Sequence, residues 1–259
     1  MAMSAGILSS PMLGGLVYSA GGYYAVFSMC FGLIAVDTVM RLMAIDVKTA
    51  QARQTKPQAS ISHLAALWGT LAHGIVTTSF DSTLPLFVSE RFHWDSVGAG
   101  LIFLPLVSPS LLGPLVGAAC DRWGARLLSS FGFLLATPFF ICLRFVDGDS
   151  LSQKVILCVL LAGVGIAMAL VLGPLMAEIT WVVEEVMPSS AQSSFAQTYG
   201  LYNMAFSGGA LLGPILGGMI RDAAGWGTVG WTLGLITFVT AITQVLWTGG
   251  PVFKHRASA

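Results

Sequence analysis

The sequence predicts an all-α protein that crosses the membrane several times. Of its 259 residues, 55% are hydrophobic and only 9% are charged. Soluble domains carry about 25% charged residues, so a soluble globule of this composition would lack the polar side chains needed to cover its surface. The surplus apolar surface must therefore face lipid.

The apolar residues fall into stretches of membrane-spanning length. A helix needs about 20 mostly apolar residues to cross the hydrocarbon core. No stretch shows the ten-residue alternation of a membrane barrel strand, and prolines inside such helices are tolerated where neighbouring helices support the kinks. We predict eight transmembrane helices, at approximately residues 3–20, 22–45, 64–88, 97–119, 127–146, 154–183, 198–220 and 228–248.

One connection is longer and more polar than the others. Residues 46–62 (DVKTAQARQTKPQASIS) include Lys48, Arg53 and Lys56 and have few large apolar side chains. With both termini in the cytoplasm, eight Lys or Arg residues lie on the cytoplasmic side and four lie outside. Because cytoplasmic loops carry an excess of basic residues, this bias predicts that both termini are cytoplasmic.

Three of the predicted helices share a pattern of proline and glycine. The fourth helix contains LLGPLVG at residues 111–117, and the pattern of the first and seventh extends to Gly22 and Gly225. These helices stand three apart in the chain, which indicates three-helix repeats with this helix in the middle. Small residues also recur in these helices at steps of three or four residues, which predicts close helix packing. The packing motif comprises Pro11, Gly14, Gly15, Gly213, Pro214, Gly217 and Gly218.

A short charged loop follows the fourth helix. It has the sequence Gly117-x-x-x-Asp121-Arg122-x-Gly124-x-Arg126. This loop resembles the G-x-x-x-D-R/K-x-G-R/K-R/K motif of the major facilitator superfamily, which follows the middle helix of a three-helix repeat. Ala125 departs from that pattern, since a basic residue usually stands there.

Three further stretches narrow the resemblance. They are FDSTLPLF at 80–87, GLIFLP at 100–105 and YGLYNMAFSGGALLGPILGG at 199–218. They are similar to the vesicular amine transporter and related drug:proton antiporter branch of the superfamily. The resemblance covers essentially the whole chain and implies a partial major facilitator fold, whose eight helices correspond to the fifth to twelfth of the family. No stretch corresponds to the first four.

The resemblance also implies a division of the chain. Residues 1–45 correspond to the last two helices of the N-terminal half, residues 46–62 to the central cytoplasmic loop, and residues 63–259 to the six-helix C-terminal half. Carriers of this family place their substrate between two six-helix halves. Because one half here is reduced to two helices, we expect that the chain alone does not transport. A complementary membrane partner is a further possibility that the resemblance leaves open.

The implied function is proton-coupled antiport of small organic cations, such as drugs or amines, in the plasma membrane or a vacuolar or vesicular membrane. Its partners would be a small-molecule substrate, protons and the lipid bilayer, without nucleic acid, cofactor or metal. The alternative is a non-transporting fragment or assembly module that retains the fold. An enzyme is disfavoured because the sequence contains no HExxH, GxSxG or clustered histidines, and no catalytic residue is assigned.

The charged loop motif has two interpretations. Asp121, Arg122 and Arg126 lie at the cytoplasmic end of a predicted helix. Together with Gly117 and Gly124 they form a candidate conformational latch, in which charge pairs hold one transport state and break in the other. The alternative is a solvated, positively charged cytoplasmic loop.

Asp81 is the leading candidate for binding a cation or a proton. A carboxylate at the centre of a membrane helix costs about 2.5–3.5 kcal/mol, so its presence suggests a function. His73 and Thr77 precede it at steps of four residues and share its helix face. The alternatives are an interfacial position for Asp81 and simple packing for His73.

Four other polar residues are weaker candidates for the same role. Asp37 lies four residues before Arg41, which indicates an ordinary ion pair but leaves a proton-binding role open. Glu178 follows a proline by one turn and is expected to line a cavity near the kink. Tyr199 and Asn203 lie one turn apart and away from the small-residue stripe, so they either face a substrate or form an interhelical hydrogen bond.

Overall fold

The computed structural model describes residues 2–43, 61–186 and 191–248, and within these ranges it is helical without any strand. This confirms the all-α prediction. The predicted loop at 46–62 lies outside the described residues except for its last two. The helices are α1 (Ala2–Met43), α2 (Ile61–Phe92), α3 (Ser96–Leu101), α4 (Phe103–Val107), α5 (Gly113–Trp123), α6 (Ala125–Cys142), α7 (Leu151–Val186), α8 (Ala191–Ala224) and α9 (Trp226–Trp247), with short 3-10 turns at Ser108–Leu112 and Leu143–Phe145.

Six helices in the described ranges are long and apolar enough to cross a membrane, where eight were predicted. The first two predicted helices form the single run α1, and the third, α2, is less apolar than the six. Serines, threonines, histidines and Asp81 make α2 more polar, which is tolerated because it packs against α7, α8 and α9. The six spans are Met12–Met40, Ser96–Trp123, Ala125–Phe145, Leu151–Thr180, Tyr199–Ala224 and Trp226–Trp247.

The repeat seen in the sequence recurs in the backbone. Gly22 and Gly225 each follow the repeated proline by eleven residues, and both have positive φ (67° and 80°) with ψ near 180° (−164° and 173°). Gly124, in the loop motif, has a similar conformation (φ 85°, ψ 155°). This region of φ and ψ is accessible almost only to glycine. The break at Gly22 interrupts α1 between the two predicted helices 3–20 and 22–45.

The span Ser96–Trp123 is broken into short pieces by its prolines. Pro105, Pro109 and Pro114 lack the amide hydrogen that an α-helix requires, and the chain passes through α3, α4, a 3-10 turn and α5. The sequence predicts a single membrane helix at 97–119, kinked at its prolines. The break directs Leu106, Val107 and Ser110 towards a cavity beside α2 and α7.

The core lies between α2, α6, α7 and α9. Its largest buried side chains are aromatic: Phe80 of α2 contacts Phe140 of α6 edge to face at 5.6 Å, and Phe87 stacks on Trp226 at 4.2 Å. Aromatic pairs of this geometry add to the free energy gained from burial. α2 packs against α3, α7, α8 and α9, and its aromatic side chains also reach α6.

α2 and α8 lie parallel and in backbone contact. A β-carbon at Gly213 would lie 2.7 Å from the carbonyl oxygen of Ile75, and one at Gly217 would lie 3.0 Å from Cβ of Ser79. Ser79 Oγ donates a hydrogen bond to the carbonyl of Gly213 at 2.6 Å. Glycines permit this approach because they have no side chain. The two helices run in the same direction, because Gly213 approaches Ile75 and Gly217 approaches Ser79, one turn further along both helices.

The other residues of the packing motif are less uniformly placed. A β-carbon at Gly15 would lie 2.6 Å from the carbonyl oxygen of Ser96, so α1 approaches α3 there. Gly14 and Gly218 have open space around them, and Pro214 is exposed. Pro11 lies within α1. The repeated sequence thus uses different glycines for close approach in α1 and α8.

The two ends of the helical bundle have different chemistry. At one end Arg221 pairs with Glu90 at 2.6 Å, Arg91 with Asp147 at 3.9 Å and Lys154 with Asp149 at 2.8 Å. We call this the ion-pair end. The opposite end contains residues 121–126, the start of α2 and the last turn of α9, and we call it the loop-motif end.

Candidate functional site

A cavity of about 150 Å³ lies beside the middle of α2. Its wall combines one face of α2 with the broken span, α6 and α7. Most of the lining is apolar, which suits a ligand site that fixes orientation with few polar groups. The lining residues are His73, Val76, Thr77, Phe80, Asp81, Leu106, Val107, Ser110, Phe140, Val164, Gly165, Met168, Ala169 and Leu172.

Two buried polar groups on the α2 side of this cavity have no hydrogen-bond partner among the described residues. They are Nδ1 of His73, a side chain that is only 6% exposed, and the hydroxyl of Thr77. By contrast, Thr70 and Thr78 donate to carbonyls of their own helix at 2.9 Å and 2.8 Å. Buried polar groups normally find a partner, so His73 and Thr77 are available to water or a ligand.

Asp81 supplies the charge of the site. It is exposed, and it is the one acidic side chain among the described residues that line the cavity. Pro85, four residues later, lacks the amide hydrogen that would bond to the Asp81 carbonyl. The carbonyl oxygen of Asp81 is therefore a second acceptor close to its carboxylate. The helix face predicted from the spacing of His73, Thr77 and Asp81 is therefore a face of the cavity.

This arrangement suits a small cation or protons. A carboxylate, a hydroxyl and an imidazole offer acceptors to an ammonium group, and the apolar wall accommodates hydrocarbon. One water needs about 10–15 Å³, so the cavity has room for several waters or for the charged end of a ligand. A group of at least three metal-binding side chains does not occur within the described ranges.

Glu178 lies outside the cavity, towards the loop-motif end. Its carboxylate is 5% exposed and accepts a hydrogen bond from Ser62 Oγ at 2.5 Å, near the start of α2. Ser62 precedes Asp81 by 19 residues, which corresponds to about 28 Å along a helix. Glu178 is not among the residues that line the cavity, where the sequence had suggested a place for it. Ser62 had no distinguishing sequence signal, because serines are frequent in α2.

Tyr199 and Asn203 also belong to the loop-motif end. Both are exposed on α8. A β-carbon at Gly74 of α2 would lie 2.7 Å from the carbonyl oxygen of Phe206, and Asn203 precedes Phe206 by three residues. Because α2 and α8 run parallel, Asn203 lies about 15 Å or more from Asp81 along the helix axis, towards the loop-motif end. The candidate residues therefore form two groups: His73, Thr77 and Asp81 at the cavity, and Glu178, Tyr199 and Asn203 near the loop-motif end.

Asp37 and the loop motif stand apart from both groups. Asp37 is exposed in α1, whose neighbours are α3, α4 and the adjoining 3-10 turn. Gly117, Asp121 and Arg122 are exposed at the end of α5. Gly124 makes the turn into α6, and Arg126 is partly buried, with its Nε donating to the Thr248 carbonyl at the end of α9.

The chain is similar to known membrane transporters over almost its whole length. The family model of the Major Facilitator Superfamily matches residues 1–180 and 66–259. The MFS-type transporter ppzB of Metarhizium majus is 26% identical over 95% of this chain and 70% of its own length. The MFS-type transporter SLC18B1 of Mus musculus is 28% identical over 93% of this chain. The synaptic vesicular amine transporter of Homo sapiens is 22% identical over 92% of this chain.

The shared region is a part of these relatives. It covers 55% of the mouse protein and 46% of the human one. The chain therefore spans about half the length of several curated relatives that it matches.

Proposed function

Because the chain belongs to the Major Facilitator Superfamily, we propose that it forms part of a carrier that exchanges protons for small organic cations. The superfamily consists of membrane transporters rather than enzymes, and the chain is an integral, multi-pass membrane protein. One observation supports the choice of cargo: Asp81 lines a membrane cavity together with His73 Nδ1 and the Thr77 hydroxyl, both without a partner among the described residues.

Cation and proton compete for Asp81 in this mechanism. The ionised carboxylate binds the cation, and protonation neutralises it and releases the cation. Thr77 offers a neutral acceptor one turn away, and His73 passes protons through water in the cavity. Each ligand shifts the protein towards the conformation that binds it better, which couples the two fluxes.

The names of the relatives agree with this cargo class. One relative is named as a synaptic vesicular amine transporter, and amines are organic cations at neutral pH. Amines or drugs of similar charge are accordingly the proposed substrates, in a plasma, vacuolar or vesicular membrane. Tyr199, Asn203, Asp37 and Glu178 remain proposed contributors, with Tyr199, Asn203 and Glu178 acting at the loop-motif end.

The proposed topology assigns the loop-motif end to the cytoplasm. Residues 1–45 then complete an N-terminal half, residues 46–62 form the cytoplasmic loop between halves, and residues 63–259 form the C-terminal half. Both termini are cytoplasmic in this arrangement. Asp121, Arg122 and Arg126 form the conformational latch at this surface, on either side of the Gly124 turn.

Cation binding tests the proposal directly. We would reconstitute the whole chain in lipid nanodiscs and measure binding of a radiolabelled arylalkylamine between pH 5 and pH 8. Affinity should fall as the pH is lowered, because protons neutralise the carboxylate. Asp81→Asn should abolish binding, Asp81→Glu should retain most of it, and Asp222→Asn, at an exposed carboxylate of the ion-pair end, should leave it unchanged. Binding that survives Asp81→Asn would contradict the proposal.

Transport itself needs a second measurement. Amine uptake by proteoliposomes under an imposed pH gradient distinguishes a working carrier from a non-transporting module with the same fold. Uptake that requires Asp81 supports transport by the chain alone. Retained binding without uptake supports the alternative, in which the chain binds the cation and needs a membrane partner to move it.

A further inference from the structure

Gln244 is a fully buried amide on α9 whose two ends are both hydrogen-bonded. Its Nε2 donates to the carbonyl of Ala65 on α2 at 2.8 Å, and its Oε1 accepts from the Thr248 hydroxyl at 2.6 Å. Gly69 provides the space, since a β-carbon there would lie 2.6 Å from Nε2 of Gln244. A buried amide without these partners would carry a substantial desolvation cost.

The loop motif joins this network from the other side. Arg126 Nε donates to the carbonyl of Thr248, the residue that ends α9. Side chains or carbonyls of Arg126, Thr248, Gln244 and Ala65 are therefore connected one after another by hydrogen bonds. The connection links α6 to α9 and α9 to α2.

Other polar side chains of α9 do not make such a connection to α2. Thr243, the neighbour of Gln244, donates to the carbonyl of Thr240 on its own helix at 2.8 Å. Thr237 bonds within α9 and to Thr137 of α6 at 3.1 Å. In the described chain, Gln244 is thus the side chain of α9 that hydrogen-bonds to α2.

We propose that Gln244 is a positioning residue through which the loop motif holds the start of α2. α2 also contains Asp81, so the inference rests on the proposed function where it concerns transport. When Arg126 keeps its bond to Thr248, Gln244 is oriented towards Ala65 and the first turns of α2 stay against α9. When the latch opens and that bond breaks, α2 loses this attachment and moves relative to α9.

Hydrogen exchange measures the attachment without any transport assay. In the whole chain in nanodiscs, amide exchange near Ala65 and Gly69 should be about fivefold faster in Gln244→Met, which keeps the side-chain length but forms no such bonds. Arg126→Ala should accelerate the same amides although it lies on another helix. Thr243→Val is the matched control and should leave them unchanged.

The double variant that combines Gln244→Met with Arg126→Ala distinguishes a positioning role of Gln244 from simple packing. With a connected network, Arg126→Ala adds little to Gln244→Met, because the attachment is already lost. Thr248→Val, which removes only the central hydroxyl, should reproduce the acceleration in a variant with an unchanged Gln244. Amide exchange near Ala65 that is unchanged in Arg126→Ala would overturn the proposal. Effects of Arg126→Ala and Gln244→Met that add fully in the double variant would overturn it as well. If only the proposed function failed, cation binding would be insensitive to Asp81→Asn, while the non-additive effects of Gln244→Met and Arg126→Ala on amide exchange would remain.

Discussion

Ser62 and Glu178 form a hydrogen bond of 2.5 Å that joins α2 to α7 at the loop-motif end. Both side chains are buried, at 6% and 5% exposure. A buried carboxylate requires donors to offset its desolvation, and Ser62 supplies one of them. The bond therefore holds the start of α2 from a second direction, beside its attachment to α9 through Gln244.

We predict that Ser62→Ala destabilises the protein by about 1–3 kcal/mol, because the carboxylate of Glu178 loses a buried donor. Thermal unfolding of the purified protein, followed by tryptophan fluorescence, should show a lower midpoint. Ser130→Ala is the matched control: that hydroxyl is buried without a partner among the described residues, so its removal should cost little. Equal midpoints for the two variants would count against the assigned role of Ser62.

We predict that Gly213→Ala separates α2 from α8, whereas Gly218→Ala does not. The added methyl at 213 meets the Ile75 carbonyl oxygen at 2.7 Å, and relieving such overpacking costs about 1–3 kcal/mol. At 218 it meets open space, and alanine favours a helix over glycine. Thermal midpoints measured in one detergent test both variants, and a stable Gly213→Ala protein would show that the two helices adjust easily.

We predict that Gly225→Ala costs about 1–3 kcal/mol through backbone strain alone. Its φ of 80° and ψ of 173° are nearly restricted to glycine, and no neighbouring atom lies near the position of a β-carbon. Gly173→Ala serves as the control, because that glycine lies in α7 and a β-carbon there meets Val116 only at 4.0 Å. The prediction fails if the unfolding midpoints of the two variants coincide.

Much of the fold follows from patterns that involve one segment at a time. Apolar length predicts the helices, and the repeat of proline and glycine extends to Gly22 and Gly225, which share one backbone conformation in the structure. The spacing of His73, Thr77 and Asp81 predicts a common face, because a helix brings every fourth residue to the same side. These features are local, so one sequence is sufficient to find them.

Other features depend on how distant segments pack. The polarity of α2 gives no sign that it packs against α7, α8 and α9, and nothing in the sequence pairs Ser62 with Glu178 or Gln244 with Ala65. The separation of Asn203 from Asp81 follows from the register between α8 and α2, which the contacts of Gly74, Gly213 and Gly217 determine. Such registers arise from side-chain packing between helices and leave no periodic signal.

The two groups of candidate residues lie apart, so substitutions of Thr77 and of Asn203 should differ in how strongly they couple to a substitution of Asp81. Thr77 lies one turn from Asp81 at the same cavity, so the effects of Thr77→Val and Asp81→Glu on amine affinity should be non-additive by about 0.5–3 kcal/mol. Asn203 lies about 15 Å or more away along the helix axis, and Asn203→Ala should combine additively with Asp81→Glu. Binding to the single and double variants in nanodiscs gives both coupling energies. Strong coupling between Asn203 and Asp81 would mean that one cation contacts both, which a separation of about 15 Å or more does not allow for a small ligand.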